Sequence, residues 1–330
     1  MLRLRRILFP TDLSSCAEAA FTHAAFLAGK HGAELHTLYV AEGQGPPPKD
    51  WADALLITPA DIAADLGLPL QEATGGVSER EIGIVDAEVR APRAAPAILD
   101  YVREHEIDLV VMGTHGRRGV RRMLMGSTAE EVVRLSPCPV FTVGGQPDEG
   151  RPAAPRSGSW AVHRVAAPVD FSDAAADAAR HAAALAAAYE AKLDLLFVVD
   201  ASLVASATVP FVGTFQVSTE EVRGKAEKGL QELAERLEEE FPAVGTVGVK
   251  VRAGRPASAV AAFVRECGAD LIVMGTHGRS GVDRLLMGSV AEEIVRTAPC
   301  PVFTVKTHGH RILERAAARA GRSASARSGS

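Results

Sequence analysis

Two stretches of the chain place glycine and serine residues at one spacing, G-x2-G-x9-G-S. Glycine has no Cβ atom, so the backbone N–H groups beside it can come close to a ligand. A serine at the start of a helix adds a hydroxyl where free N–H groups and the helix dipole already favour an anion. This combination suits a phosphate group. The residues are Gly113, Gly116, Gly126 and Ser127, and again Gly275, Gly278, Gly288 and Ser289.

The same residues also have a purely structural interpretation. Gly113 and Gly116 suit a tight turn, and Ser127 and Ser289 suit helix N-caps, because Ser-Thr-Ala-Glu and Ser-Val-Ala-Glu are capping boxes. Capping accounts for the serines but not for four residues held at one spacing in both stretches. The spacing alone leaves phosphate binding and turn formation open.

Motifs of several enzyme classes are missing from the sequence. It has no GxxxxGK[ST], no HExxH, no GxSxG and no GxGxxG after the first strand. His115 and His277 have no nucleophile or carboxylate beside them, so a hydrogen bond within a turn is favoured over a general base. Arg117 and Arg279 each follow a glycine of the pattern and could reach a phosphate. The sequence predicts binding rather than efficient catalysis.

Two further pairs of reactive residues receive structural interpretations. His23 and His181 lie in the middle of alanine-rich predicted helices and are interpreted as surface or packing residues. Cys138 and Cys300 each lie between two prolines, before the last strand of a unit, and are interpreted as buried structural cysteines.

Composition restricts the class of protein. The 330 residues are 47% hydrophobic and 23% charged, which is too apolar for a wholly disordered chain. No apolar run reaches the ~18 residues of a membrane helix, and the start does not have a signal-peptide pattern. Four cysteines without disulfide-scaffold or zinc spacing fit a reducing, cytoplasmic location. The net charge of −5 argues against a dedicated nucleic-acid-binding protein.

The chain contains an internal duplication. Residues 89–143 and 251–305 are identical at 37 of 55 positions, at a constant offset of 162. Residues 7–14 and 165–172 match more loosely, at an offset of 158. We therefore predict a first domain at 1–143, a linker at 144–159 and a second domain at 160–307. The remaining segment, 308–330, is rich in arginine and is predicted to be a disordered basic tail.

Strands and helices alternate within each unit. Apolar strands such as Leu-Val-Val-Met and Leu-Ile-Val-Met, which suit burial on both sides, alternate with helix-forming stretches such as 173–191 and 217–241. This pattern predicts an α/β fold with a parallel sheet and helices on both faces. Between Val40 and Ile84, prolines and glycines predict a helix that is short or broken.

The chain resembles a tandem universal stress protein of the ATP-binding type, over nearly all of its length except the linker and the tail. The glycine and serine pattern is that family's ATP-binding signature. The endings PTDLS and PVDFS, the MGTHG turns and the closing CPVFTV strands occur in family order in both units. The resemblance implies two tandem open parallel five-stranded sheets of the adenine nucleotide α-hydrolase-like, Rossmann-like kind. It also implies that the last strands, 139–143 and 301–305, pair the domains as an internal pseudo-dimer.

The resemblance implies a role for each matching residue. An aspartate lies near the ribose or a phosphate-bound metal, two residues before it line the adenine, and a valine offers backbone groups to the adenine. The first glycine contacts the ribose, and the rest of the pattern holds the phosphates. In the first unit these residues are Pro10, Thr11, Asp12, Val40, Gly113, Gly116, Gly126, Ser127 and Thr128, and Arg117 joins the candidates because it follows Gly116. In the second unit they are Pro168, Val169, Asp170, Val198, Gly275, Gly278, Gly288 and Ser289, with Val290 at the position of Thr128 and Arg279 added because it follows Gly278.

Two polar residues of the first unit have apolar counterparts in the second. Valines stand at 169 and 290 where the first unit has Thr11 and Thr128. If the copies differ in affinity for the nucleotide, these replacements predict tighter binding in the first unit. Asp12 and Asp170 are the expected Mg²⁺ contacts in both.

The sequence therefore predicts an ATP-binding stress-response regulator with one nucleotide site per domain and Mg²⁺ bound with the nucleotide. It would act by nucleotide occupancy, with at most weak ATP hydrolysis. Two alternatives stay open: a slow ATPase or nucleotide-transferring enzyme, and a partner-binding scaffold whose glycines only form turns. Neither a nucleic acid nor a membrane is expected as a partner, whereas a second copy of the chain, forming a homodimer, is a candidate.

Overall fold

A computed structural model describes residues 2–12, 14–42, 84–114, 125–144, 162–200, 219–276, 287–306 and 312–313. The first half contains β1 (Arg6–Thr11), α1 (Ser15–His31), β2 (Glu34–Glu42), β3 (Ile84–Ala91), α2 (Ala94–Glu104), β4 (Leu109–Gly113), α3 (Ser127–Leu135) and β5 (Val140–Val143). The second half contains β6 (Arg164–Pro168), α4 (Asp173–Tyr189), β7 (Lys192–Val199), α5 (Thr219–Glu240), a 3₁₀ turn (Pro242–Val244), β8 (Gly248–Ala253), α6 (Pro256–Cys267), β9 (Leu271–Gly275), α7 (Ser289–Thr297) and β10 (Val302–Val305).

The strands form one continuous ten-stranded sheet in the order β3-β2-β1-β4-β5-β10-β9-β6-β7-β8. Within each half the five strands are parallel, which confirms the predicted α/β fold. The strand order reverses between β1 and β4, and again between β6 and β9. Such topological switch points are where open parallel sheets bind ligands, beyond the carboxyl ends of the strands.

The two halves join through their last strands. β5 and β10 pair antiparallel, with Phe141 opposite Phe303, as the family resemblance implies. The hydroxyl of Thr142 donates to the carbonyl oxygen of Val302 at 3.1 Å, and the hydroxyl of Thr304 donates to that of Val140 at 3.1 Å. Because the pairing is antiparallel, the carboxyl ends of the two five-stranded halves lie at opposite edges of the sheet.

Valine at Thr142 or at Thr304 should loosen this junction. Each substitution keeps the β-branched shape but removes one buried side-chain hydrogen bond, so we expect the free energy of unfolding to fall by about 1 kcal/mol for each. Urea denaturation followed by circular dichroism measures it. Thr297 is the matched control, because its hydroxyl bonds within an exposed helix end, and valine there should cost less. Equal losses at all three threonines would contradict a role for the junction hydroxyls.

Helices cover both faces of the sheet, and the core on each face runs across both halves. One core packs α1, α4 and α5 against the sheet, and the other packs α2, α3, α6 and α7. The starts of α1 and α4 follow from their N-caps, because Ser14 and Ser172 accept hydrogen bonds from the N–H groups of Ala17 and Ala175.

Helices α1 and α4 meet at the junction. His23 lies 3.2 Å, Nδ1 to hydroxyl oxygen, from Tyr189, and Phe26 stacks on the same tyrosine with ring centroids 4.5 Å apart. His23 and His181 are buried, and their rings lie 4.9 Å from Phe141 and 6.3 Å from Phe303, centroid to centroid. Of the two roles left open for these histidines, the structure selects packing.

The C-terminal segment reaches back to the start of the chain. Ile312 and Leu313 are buried in the core that contains α1, and Leu313 forms an antiparallel bridge with Leu2. Apart from this pair, the predicted 308–330 tail lies outside the described residues. The linker also lies outside them, except for its first residue, Gly144. The same is true of the segment between β2 and β3, where a broken helix is predicted.

Candidate functional site

The first site is built at the switch point of the first half. Ile7 pairs with Leu109 in register, so the ends of β1 and β4, at Thr11 and Gly113, reach the same edge of the sheet. We call this edge, with the start of α3, site one. The corresponding edge at β6, β9 and the start of α7 is site two, where Val165 pairs with Leu271.

A backbone hydrogen bond joins the strand end to the helix start in each site. The N–H of Gly126 donates to the carbonyl oxygen of Thr114 at 2.7 Å, and the N–H of Gly288 donates to that of Thr276 at 2.8 Å. These bonds bring the first and third glycines of the pattern together. The remaining pattern residues, Gly116 and Arg117 with Gly278 and Arg279, lie outside the described residues, as do His115 and His277.

The N-cap of α3 and that of α7 are glycines, not serines. Gly126 and Gly288 have extended cap geometry, and neither helix start has a side-chain cap bond. The interpretation of Ser127 and Ser289 as capping-box N-caps is therefore wrong. It fails because Gly126 is held by the end of β4, which starts the helix one residue earlier.

The serine hydroxyls therefore do not serve as helix caps. Ser127 and Ser289 are the first residues of α3 and α7, and both are exposed. The backbone N–H groups of Ser127, Thr128 and Ala129 precede the first intrahelical bond, which Glu130 donates to Gly126 at 3.0 Å. Three N–H groups and a hydroxyl at the positive end of a helix dipole can bind a phosphate.

Two pattern glycines lie in tight contact with neighbouring backbone. A Cβ atom at Gly126 would lie 3.1 Å from the carbonyl oxygen of Thr114. A Cβ atom at Gly275 would lie 3.3 Å from the carbonyl oxygen of Ala174, in the first turn of α4. A side chain at either position would therefore force the neighbouring backbone to move by a few tenths of an ångström.

The two aspartates are anchored at the ends of β1 and β6. Asp12 accepts through Oδ1 from the N–H of Ser14 at 3.1 Å. Asp170 accepts through Oδ1 from the N–H of Ser172 at 3.0 Å and from its hydroxyl at 2.5 Å. Mg²⁺ that arrives with a nucleotide needs only one or two carboxylates besides phosphate oxygens and water. One anchored aspartate in each site fits such an ion.

The predicted adenine-side residues occupy the ends of neighbouring strands. Pro10 and Thr11 pair with Leu38 and Tyr39 of β2, so that Val40 follows directly on that strand. In site two, the N–H of Val169 donates to Leu196 at 2.8 Å, and Val198 takes the place of Val40. Val40 and Val198 are both half-buried against the core that contains α3 and α7.

Site two presents two large apolar side chains at its surface. Val290 exposes 38% of its surface at the start of α7, where site one has Thr128. Phe171 follows Asp170 with a φ of +63° and is also exposed. Its ring lies 5.1 Å from that of Phe197 and packs over Gly229, where a Cβ atom would lie 3.0 Å from it. A bulky residue in this conformation is strained, which is a common feature of ligand sites.

Sequence reasoning missed an ion pair that recurs beside both sites. Arg93, the N-cap of α2, contacts Glu131 of α3, and Arg255, the N-cap of α6, contacts Glu293 of α7 at 3.2 Å. The pairs tie the loop after β3 or β8 to the helix whose start carries the glycine and serine. The identity of all four residues between the copies at offset 162 is the signal that could have found them.

Metal-ligand clusters and membrane-spanning helices are both absent from the described residues. Within these ranges no group of three or more histidine, cysteine, aspartate or glutamate side chains is placed to hold a metal ion. None of the helices in the described part of the chain is long and apolar enough to cross a membrane.

Comparison with known proteins identifies relatives that match half of the chain or most of it. A universal stress protein of Methanocaldococcus jannaschii is 34% identical over 155 residues, which are 46% of this chain and 86% of the relative. One from Mycolicibacterium smegmatis is 27% identical and covers 91% of this chain and 96% of its own. A solved universal stress protein from Archaeoglobus fulgidus has a TM-score of 0.54 at 20% identity, over 91% of this chain and 98% of its own, and so shares the fold.

The family comparison covers both halves separately. The model of the universal stress protein family matches residues 3–144 and again 161–306. These two matches include both sites, with their glycines, serines and aspartates. The chain therefore belongs to the universal stress protein family and carries two copies of its domain.

Proposed function

We propose that the protein binds ATP at both sites, with Mg²⁺, and acts as a cytoplasmic regulator whose signal is nucleotide occupancy. The observation that carries this proposal is the bond from Gly126 to Thr114, with its counterpart from Gly288 to Thr276. It sets the start of a helix directly beyond a strand end at a switch point, in the geometry that favours an anion.

The glycine N-caps strengthen the binding interpretation over the turn interpretation. A serine that served as an N-cap would have its hydroxyl occupied by the helix itself. Ser127 and Ser289 instead stand exposed on the first turn. We infer that their hydroxyls donate to phosphate oxygens, while Asp12 and Asp170 contact the metal or the ribose.

Alanine at both Ser127 and Ser289 tests this assignment with little risk to folding. Each substitution removes one hydrogen bond to a charged phosphate, so ATP affinity should fall about tenfold at each site. Because the side chains are exposed and do not cap the helices, the free energy of unfolding should stay within about 0.5 kcal/mol. Isothermal titration calorimetry with Mg²⁺ and ATP measures the affinity.

Two measurements decide the proposal itself. Mass spectrometry of ligands released from freshly purified, denatured protein should find ATP, and titration should give two sites per chain. No released nucleotide together with no heat of ATP binding would contradict the proposal and favour a partner-binding scaffold. Phosphate release from ATP at the rates typical of enzymes would contradict action by occupancy and favour an ATPase.

A further inference from the structure

Lys306 connects the second half of the chain to a helix of the first half. It directly follows β10, which pairs with β5 across the junction. Its Nζ donates to the backbone carbonyl oxygen of Arg134, in the last turn of α3. The carbonyl groups in the last turn of a helix accept no hydrogen bond from the helix itself. An ammonium group at this end is also stabilised by the negative end of the helix dipole.

The same helix provides the phosphate side of site one. Its N-terminus carries Gly126 and Ser127, and the last turn of this nine-residue helix carries the carbonyl group that Lys306 contacts. A bound phosphate and the Lys306 ammonium group therefore act on opposite ends of one short helix, each with the charge that its end favours. Loss of the group at one end of α3 therefore alters how strongly the group at the other end is bound.

Among the described residues, this contact has no counterpart at site two. The residue related to Lys306 by the repeat offset of 162 is Gly144, which has no side chain to reach the end of α7. A Cβ atom at Gly144 would also press against the side chain of Thr114, which would have to move. The two halves are thus built differently at this point, although their flanking strands are identical in sequence.

The lysine occupies a site that is costly for a charged group. Burial lowers the pKa of Lys306 to about 8, with the Cys138 thiol opposing this effect and the positive charge of Arg134 adding to it. At pH 7 the group is still mostly an ammonium ion. A charge that stays in a half-buried position at the cost of desolvation calls for a specific partner, and the end of α3 is the partner that the structure provides.

We propose that Lys306 is a positioning residue through which the second half holds α3 in place, so that nucleotide binding at site one depends on the junction and binding at site two does not. This inference rests on the proposed function of site one. It predicts that the two sites respond differently to a single substitution far from both.

The test compares Lys306→Ala, Lys306→Arg and the exposed control Lys250→Ala in β8. Without nucleotide, hydrogen exchange of the α3 amides should become about two- to fivefold faster in Lys306→Ala, as expected for loss of a charge at a helix C-terminus. Arginine at 306 should restore slow exchange, and Lys250→Ala should not change it. Unchanged exchange in Lys306→Ala would overturn the proposal, whatever the protein does with ATP.

Affinity at one site is then measured with the other site blocked. With Gly288→Val blocking site two, Lys306→Ala should weaken ATP binding at site one by up to about fivefold. With Gly126→Val blocking site one, it should not affect site two. Equal losses at both sites would overturn the proposal and indicate a general loss of stability. If the α3 amides of Lys306→Ala exchange faster but the protein binds no ATP at all, the proposed function is overturned. The positioning of α3 by Lys306 is then still established.

Discussion

Valine at both Gly126 and Gly288 is expected to reduce ATP affinity at least about 100-fold while the protein stays folded. A Cβ atom at Gly126 would lie 3.1 Å from the carbonyl oxygen of Thr114. The two methyl groups of valine would add further steric overlap at this point. The strand end and the helix start must then separate. More than one hydrogen bond to a charged phosphate is lost, each contributing about 1.5–3 kcal/mol.

The fold should survive, because the backbone at these positions is ordinary. Gly126 has φ −64° and ψ 144°, and Gly288 has φ −63° and ψ 142°, which valine adopts without strain. Each single variant should keep one of two ATP sites, as titration calorimetry would show. Gly224→Ala is the matched control, since nothing lies within 4 Å of its Cβ position in α5. It should keep both sites and gain about 0.5–1 kcal/mol of stability. Two intact sites in the double valine variant would mean that the glycines only form turns.

Acid should weaken the junction between the halves through its buried histidines. Burial lowers the pKa of His23 from 6.5 to about 4. Burial also lowers the pKa of His181, against the opposing effect of the Asp177 backbone and charge. Between pH 6.5 and 4 the unfolded chain takes up protons that the folded protein does not, so the free energy of unfolding falls as the pH falls. His23 alone accounts for about 3 kcal/mol once the pH is below 4.

Urea denaturation between pH 7.5 and 4 measures this loss. His23→Leu should remove part of the pH dependence, at a cost in stability at neutral pH because the hydroxyl of Tyr189 loses its partner at 3.2 Å. Tyr189→Phe is the control, since it removes the same hydrogen bond and leaves the titrating ring. It should lower stability by about 1 kcal/mol at every pH without changing the slope. An unchanged slope in His23→Leu would rule out His23 as a source of the acid sensitivity.

Much of the fold follows from the repeat and from strand patterning. Continuous apolar runs such as Leu109–Met112 are buried on both sides, as expected for central parallel strands. The burial of His23 and His181 could not be decided in the same way. Both lie in alanine-rich helices whose faces look alike in sequence, and it is contact with Phe141 and Phe303, from elements far along the chain, that buries them.

The candidate site shows where reasoning from sequence reaches its limit. The glycine and serine spacing located the strand ends and helix starts, but the capping boxes placed the helix N-caps one residue too late. A capping box reflects only the preference of neighbouring residues for a helix start. The true start is set by the bond from Gly126 to Thr114, twelve positions earlier. Arg93 and Glu131 were missed for a similar reason, since their contact joins residues 38 positions apart.

The internal pairing of β5 with β10 has a consequence for how this chain can evolve. When two identical chains associate about a twofold axis, every substitution appears twice, on both sides of the axis. Fusion of the two copies into one polypeptide removes that restriction. A lysine can then stand at 306 while glycine stays at 144, and valine can replace threonine at 290 while Thr128 is kept. The twofold arrangement of the sheet persists, yet each half is free to acquire its own affinity, partner or response.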